Sequence, residues 1–352
     1  MKILLRATNW LGDAVMSLPA LRAVREVYPA AEISVLARPW VADLYARESF
    51  ADRILPYDRQ GSHRGFGGRW RLANQLRAER FDLAILFQNA FDAALLAWLS
   101  RASERIGYAR DGRSALLTQP IEVPASGQIP AHERYYYLEL LHRAGLIPSL
   151  PDCPDIRLDG LEDAARAGRA GWRQRGLPEG PWIGVSPGAA YGGAKRWLPE
   201  RFAAAASTLA DELGASVALF GAGGEAELCE TIAAGIGPRA FVLAGKTSLR
   251  EYIELASTCS LYLTNDSGPM HVACALGVPT VAIFGATNHV TTGPSASWAR
   301  VVREPVECSP CLLRECPLPE HLCMLGVSAE RVVAAAHELL AGAAGPNTHG
   351  PR

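Results

Sequence analysis

The chain has 352 residues, 49% of them apolar and 20% charged, with a formal net charge of −1. That length suits two domains of about 150 residues rather than a single core. A near-neutral charge argues against a nucleic-acid binder, which carries a strongly basic face, and no run of about 18 apolar residues is present to span a membrane.

The opening Met1-Lys2-Ile3-Leu4-Leu5-Arg6 is soon interrupted by Arg6 and Asn9, so it reads as a first strand and not as a signal peptide. The expected location is the cytoplasm, with room for contact to a membrane surface from that side. Strands are expected at 2–7, 32–37 and 83–87, with helices at 18–27 and 69–79 between them. Strand–helix alternation of this kind implies a parallel sheet covered by helices. Pro19 fits either the first turn of a helix capped by Ser17 or a kink in a helix starting near Gly12. Residues 153–180, rich in Pro, Gly, Asp and Arg, read as a polar helix within an inter-domain linker.

The alternation then restarts. Strands are expected at 182–185, 216–220, 241–243, 261–264 and 280–284, with helices at 199–213 and 248–257 and another opening at Asp266. Ser248 and Glu251 stand in capping-box spacing. A helix at 329–340 follows, and the polar tail is expected to be disordered. The expected organisation is therefore α/β: a Rossmann-like domain over 1–165, a second over 176–326, a terminal helix over 327–343 and a tail over 345–352.

Four loops of the second half sit where an open α/β sheet binds ligands, at the carboxyl ends of its strands. Asn265-Asp266-Ser267-Gly268-Pro269-Met270-His271 opens a helix whose first-turn N–H groups and dipole suit a diphosphate. Gly268 lets a ligand approach, Ser267 offers a hydroxyl, and Asp266 either caps the helix or accepts from a sugar hydroxyl. His271 lies one turn in; the plain alternative is an ordinary cap with a packed histidine. Ser186-Pro187-Gly188-Ala189 leads through Gly192-Gly193 to Lys195, an amide nest followed by a point charge; the alternative is a solvated lysine. Gly221-Ala222-Gly223-Gly224-Glu225 allows close approach, with Glu225 either on a ribose or simply at a helix start. Gly245-Lys246-Thr247-Ser248 would flank a base. The first strand ends in Asn9-Trp10-Leu11-Gly12-Asp13, where Asp13 is placed either to take a proton from an acceptor hydroxyl or merely to cap its helix.

Of eight cysteines, Cys153, Cys229, Cys259 and Cys274 read as small core residues. Cys308, Cys311, Cys316 and Cys323 cluster near His321, enough ligands for a structural zinc, or else reduced thiols in a Pro-rich loop. Structural disulfides are not expected in a cytosolic setting.

Taken in order, Asn9-Trp10-Leu11-Gly12-Asp13-Ala14-Val15-Met16, Pro19-Ala20-Leu21-Arg22, Lys195-Arg196-Trp197 with Pro199, Thr264 to His271, Phe284-Gly285-Ala286-Thr287 and the Cys308-Ser309-Pro310-Cys311 segment with Arg314-Glu315-Cys316-Pro317-Leu318 resemble the bacterial lipopolysaccharide heptosyltransferases of glycosyltransferase family 9 over nearly the whole chain. The cysteine segment and the Asn-Trp-Leu-Gly-Asp start point most toward the type II branch. The resemblance implies a GT-B fold, two Rossmann-like domains facing a central cleft, and inverting transfer without a catalytic metal. It implies an ADP-heptose donor and, as acceptor, the inner-core heptose on Kdo2-lipid A at the inner membrane surface. It makes Asp13 the base and gives Lys195 a phosphate contact and a catalytic share. Glu225 would meet the ribose, and Asp266, Ser267, Gly268 and His271 the diphosphate and sugar; Ser186, Gly188, Ala189, Gly221, Gly245 and Thr247 complete the expected donor site. Asn9, Arg64, Arg69 and Arg110, with Arg105 and Arg113 nearby, are the expected acceptor contacts. The protein is expected to act as a monomer. Alternatives are a type I or III acceptor, or a sugar-nucleotide binder without catalysis. A nicotinamide-dependent oxidoreductase is set aside because Gly-x-Gly-x-x-Gly does not follow the first strand.

Overall fold

The structure, a computed structural model, describes residues 1–153 and 155–343. The expected disordered tail lies outside these. The chain divides after Asp159 into two units.

Unit 1 holds strands β1 (Lys2–Arg6), β2 (Glu32–Ala37), β3 (Arg53–Pro56), β4 (Leu83–Leu86), β5 (Glu104–Tyr108) and β6 (Gln119–Ile121), in the order β3-β2-β1-β4-β5-β6. Unit 2 holds β7 (Trp182–Ser186), β8 (Ser216–Leu219), β9 (Ala240–Val242), β10 (Leu261–Asn265), β11 (Thr280–Phe284) and β12 (Ala299–Arg303), in the order β12-β11-β10-β7-β8-β9. Every pairing is parallel. The two sheets share one winding: each unit's first strand lies beside its fourth, and the strand order reverses between them. That reversal is the switch point where doubly wound sheets open a crevice. It falls between β1 and β4 in unit 1 and between β7 and β10 in unit 2.

The central strands are continuous apolar runs because helices cover both faces. All five residues of β7, β10 and β11 are buried. Strands β3, β5, β6 and β12 carry no comparable run and were not expected. Three of them are edges, where Pro56 and Pro120 are tolerated and charged residues face solvent.

At Pro19 the chain breaks between two helices, with Pro19 in the first turn of the second and without the expected Ser17 cap. A helix over Leu11–Met16 ends at Ser17, and a second over Leu18–Val27 starts there with Pro19 in its first turn. The Ser17 hydroxyl donates back to the Ala14 carbonyl (2.9 Å) instead of capping.

The expected boundary at 165 is corrected. Half of the expected linker is a helix, Leu161–Gln174, that belongs to unit 2. Ala164, Gly168 and Trp172 recur every fourth residue on its buried face. The Trp172 ring stacks on Trp182 with centroids 4.0 Å apart, and its indole N–H donates to the Thr258 hydroxyl at 2.8 Å. A Cβ on Gly168 would lie 2.0 Å from the Glu254 carbonyl oxygen, so the helix seats only with glycine there. The last helix, Ala329–Ala343, is likewise part of the core of unit 2 through Val332, Ala336 and Leu339.

Removing the Trp172 ring will empty this contact, at about 3–5 kcal/mol for a large-to-small core change. Urea denaturation of Trp172→Ala should show that loss in the transition of unit 2. A midpoint matching wild type would mean that the helix contributes little to the unit.

Candidate active site

In unit 2 the loops after β7 and β10 meet at the switch point. The Lys195 ammonium lies 2.6 Å from Asp266 Oδ2, and both side chains are nearly out of solvent, at 12% and 5% exposure. The Thr287 hydroxyl donates to the same carboxylate oxygen. The ammonium also stands 4.8 Å from the centre of the Tyr191 ring. Asp266 is therefore not the helix cap. That position is Ser267, whose side chain makes no capping hydrogen bond to the helix Gly268–Ala275. The first-turn amides are left without a side-chain acceptor, as an anion-binding helix start requires.

Asn265 fixes this arrangement from below. It is fully buried; its amide donates to the Pro187 carbonyl (2.6 Å) and its oxygen accepts from the Trp197 backbone N–H (3.0 Å). One side chain thus ties both ends of the Lys195 loop to the end of β10.

The four glycine-bearing loops converge as expected, through three contacts. Lys195 reaches Asp266. A Cβ on Gly188 would fall 1.8 Å from a Glu225 carboxylate oxygen, so the loops after β7 and β8 touch there. Gly245, in the left-handed region at φ +72°, leaves only 2.8 Å between a would-be Cβ and Gly223 Cα, which joins the loops after β8 and β9. Glu225 itself accepts from the Ala222 backbone N–H at 2.8 Å and stands against Gly221. Ala189 is buried and Thr247 half-buried beside these loops.

Two expected ligand contacts read differently in three dimensions. Ser186 points into the core, its hydroxyl 2.7 Å from that of Tyr262, in a chain that passes through Tyr252 to the Pro269 carbonyl. It braces the helix start and is not presented to a ligand. His271 is buried at 5% exposure, inside the helix packing.

The cysteine segment works as a strap. Tyr191 donates to the Leu312 carbonyl (2.7 Å), the Gly193 N–H to Glu315 (3.0 Å) and the Ala194 N–H to the Arg314 carbonyl (2.9 Å). Ser309 donates to the Gly285 carbonyl (2.6 Å), and the Leu312 N–H to that of Ala286 (2.7 Å). The strap holds both the Lys195 loop and the Thr287 loop. Its four cysteines are free and line a cavity of about 130 Å³ with His321. Among the described residues no three His, Cys, Asp or Glu side chains are arranged to hold a metal ion. No step below is routed through a metal at this strap. Cys229, Cys259 and Cys274 are buried as expected, while Cys153 is only half-buried.

Unit 1 presents different chemistry at its own switch point. Arg6, at the end of β1 and 2% exposed, donates to Asn9 Oδ1 (2.7 Å) and to the carbonyls of Ala7 and Leu36 (3.3 Å for Leu36). Burial first, then the neighbouring Arg38 charge, brings its pKa down to about 10. This buried guanidinium shapes the turn that leads to Asp13, so the Asn9 side-chain oxygen is engaged within the protein. Asp13 lies in the first turn of Leu11–Met16, which packs on the helix Glu133–Arg143. Glu133 sits within reach of its charge: burial and then Asp13 raise the Glu133 pKa, with Arg110 opposing. Arg110 is exposed, 3.3 Å from the Tyr136 hydroxyl. Arg64 is exposed, and Arg69 is paired with Asp92 at 3.4 Å. Arg113 is corrected: fully buried, it donates to the Tyr108 carbonyl (2.9 Å) and to Asn89 (3.0 Å) and serves the fold. Arg105 likewise spends donors on the carbonyls of Leu116 and Ala102.

The model of glycosyltransferase family 9 (heptosyltransferase) matches residues 69–322. The chain belongs to that family. Lipopolysaccharide heptosyltransferase 2 of Salmonella typhimurium is 30% identical over 97% of this chain and 99% of its own length. Its namesake in Escherichia coli is 31% identical over 86% and 88%. The solved E. coli ADP-heptose lps heptosyltransferase II covers 97% of this chain and 99% of its own at 28% identity, with a TM-score of 0.81. The family's GT-B fold and the expected glycosyltransferase class follow. Tyr191, Thr287, Asn265 and Glu133 were missed as site residues; the run Phe284 to Thr287 after β11 was the one available signal for Thr287.

Glu133 gives a pH test. Its pKa is raised in the folded chain, so folding favours its neutral form. The penalty is absent below the ordinary value of 4.5, grows as pH rises from there and levels off above the folded-state value. Glu133→Gln should therefore melt higher than wild type near neutral pH, and the gain should vanish below about pH 4.5. Thermal melts across that range check the sign. Metal analysis of the purified chain is expected to return substoichiometric zinc, and one zinc per chain would overturn the reading of the strap as free thiols.

Proposed function

We propose that this chain transfers heptose, with inversion, from ADP-heptose to the inner-core heptose of heptosyl-Kdo2-lipid A in lipopolysaccharide core assembly. The reading places it in the cytoplasm, acting as a monomer at the inner face of the membrane. The observation that carries it is the buried Lys195–Asp266–Thr287 cluster beside an uncapped helix start, in a chain aligned end to end with enzymes named for this transfer.

Departure of ADP leaves charge on the diphosphate. Lys195 has three N–H donors and spends one on Asp266, so others remain for a phosphate oxygen. The helix start at Ser267 and Gly268 offers backbone donors to the same group. Donors fixed in place before reaction are worth most to the transition state, about 2.7–4 kcal/mol each by analogy with an oxyanion hole. Glu225, held between Gly188 and Gly221, is the acceptor for ribose hydroxyls, and the Gly245 to Thr247 turn flanks the base.

Asp13 takes the acceptor proton as its oxygen attacks the anomeric carbon. Beside it stands the Glu133 carboxyl, whose own pKa burial and then the Asp13 charge raise. Arg64, Arg69 and Arg110 supply guanidinium groups for the acidic acceptor.

Asp13→Ala should cut turnover by about 10²–10⁴-fold, the usual share of a positioned base, with donor KM little changed. Release of ADP from a mixture of protein, ADP-heptose and heptosyl-Kdo2-lipid A reads this directly. Near-wild-type turnover would remove Asp13 from the mechanism. Failure with that acceptor but success with Kdo2-lipid A would move the chain to a type I activity. Gly188→Ala should weaken donor binding on its own, because its methyl group must displace Glu225; a donor KM equal to wild type would free Glu225 of the ribose role.

A further inference from the structure

Unit 1 carries a second feature that this chemistry does not use. The helices Gly65–Glu79 and Phe91–Leu99 pack side by side on its sheet. Between them lies a groove of about 550 Å³ walled by Trp70, Trp98, Leu99, Arg77, Arg101 and Arg105. No Asp or Glu lines it. Four aromatic side chains stand out along the two helices, with Phe66 81%, Trp70 48%, Phe91 48% and Trp98 49% exposed. Phe66 and Trp70 stack on each other one turn apart, with centroids at 6.2 Å. Arg105 is braced by the carbonyls of Leu116 and Ala102, while Arg77 and Arg101 have no ion-pair partner among the described residues.

Exposed aromatic surface on this scale, rimmed by cations, is a mark of an interaction face. Indole rings favour the headgroup level of a bilayer, where one edge is apolar and the other wet. Guanidinium groups match phosphate oxygens in pairs. A second copy of the chain is a poor occupant, because a two-fold contact through the groove would set like guanidinium groups against each other. Topology places the face usefully. Phe66 and Phe91 begin helices that start at the carboxyl edge of the sheet, the edge that bears Asn9 and Asp13, and the arginines lie toward the opposite edge.

We propose that the face formed by the helices Gly65–Glu79 and Phe91–Leu99 docks unit 1 on an anionic phospholipid bilayer, with Trp70 and Trp98 in the headgroup layer and Arg77 and Arg101 on lipid phosphates. The proposal rests on the reading above, in which the acceptor is anchored in a membrane. The Phe66 and Phe91 end of the same face lies toward the edge of the sheet that bears Asp13.

The test is sedimentation of the full chain with vesicles of phosphatidylglycerol and phosphatidylethanolamine, against vesicles of phosphatidylcholine alone. Wild type should pellet with the anionic vesicles and lose binding as salt is raised. The pairs Trp70→Ser with Trp98→Ser and Arg77→Glu with Arg101→Glu should each lower the partition about tenfold or more. ADP release should stay at the wild-type rate with an acceptor stripped of its acyl chains and fall with acceptor embedded in vesicles. Equal pelleting of wild type and both variants would overturn the proposal, as would no pelleting of wild type. A wild-type dimer that these substitutions dissolve would assign the face to a second copy instead. Loss of ADP release with both acceptor forms, while vesicle binding stands, would fault the transfer reading and leave the docking face intact.

Discussion

The ion pair between Lys195 and Asp266 is the constraint around which unit 2 is arranged. Two charges so nearly excluded from water are costly unless each meets its partner and the remaining polar atoms are satisfied. That condition requires β7 and β10 to be neighbours, because only then do the loops after them reach the same point. It requires Asn265 to hold both ends of the Lys195 loop, and Thr287 to complete the Asp266 shell. It also accounts for the cysteine strap, whose carbonyls and Glu315 take the backbone donors of Gly193 and Ala194 and keep the loop from relaxing away. The segment that carries the cysteines braces these loops through Ser309, Leu312, Arg314 and Glu315.

The same winding in unit 1 serves a different purpose. Its switch point buries a cation, Arg6, where unit 2 buries an ion pair, and it offers carboxyl groups where unit 2 offers an ammonium and backbone donors. A base and a leaving-group stabiliser need opposite electrostatic settings, since one must favour a proton and the other must favour negative charge. In the proposed transfer, two copies of one topology with oppositely furnished crevices would meet that need. Fold and chemistry are thus separable here, and the chemistry resides in the loops.

Much of this was legible in the chain itself. The buried central strands announce themselves because a parallel strand covered on both faces is a continuous apolar run. The helices Leu18–Val27 and Pro199–Leu213 appear at their expected limits because Pro in the first turn and Gly214 after the last mark their ends. The glycine-bearing loops were visible as places where backbone can approach a ligand, and the ordered motifs from Asn9 to Leu318 carried the family. Three of the four edge strands, β3, β6 and β12, were not visible, because short segments with Pro and charge have no periodicity to read. The helix Leu161–Gln174 looked like linker because three small or aromatic residues at every fourth position are a faint signal in a polar background.

The sequence by itself determined the fold class, the repeat of one α/β winding, and which loops hold the site residues, since all three follow from local pattern and chain order. Only the tertiary structure decided what those residues do to one another. Asp266 pairs with Lys195 and does not cap its helix; Ser186 and Arg113 turn inward; Asn265 holds the Lys195 loop, far from it in sequence, and Thr287 reaches Asp266 from the loop after β11. The physical reason is that a polar side chain leaving water must find its partner in space, and that partner is set by which strands lie side by side.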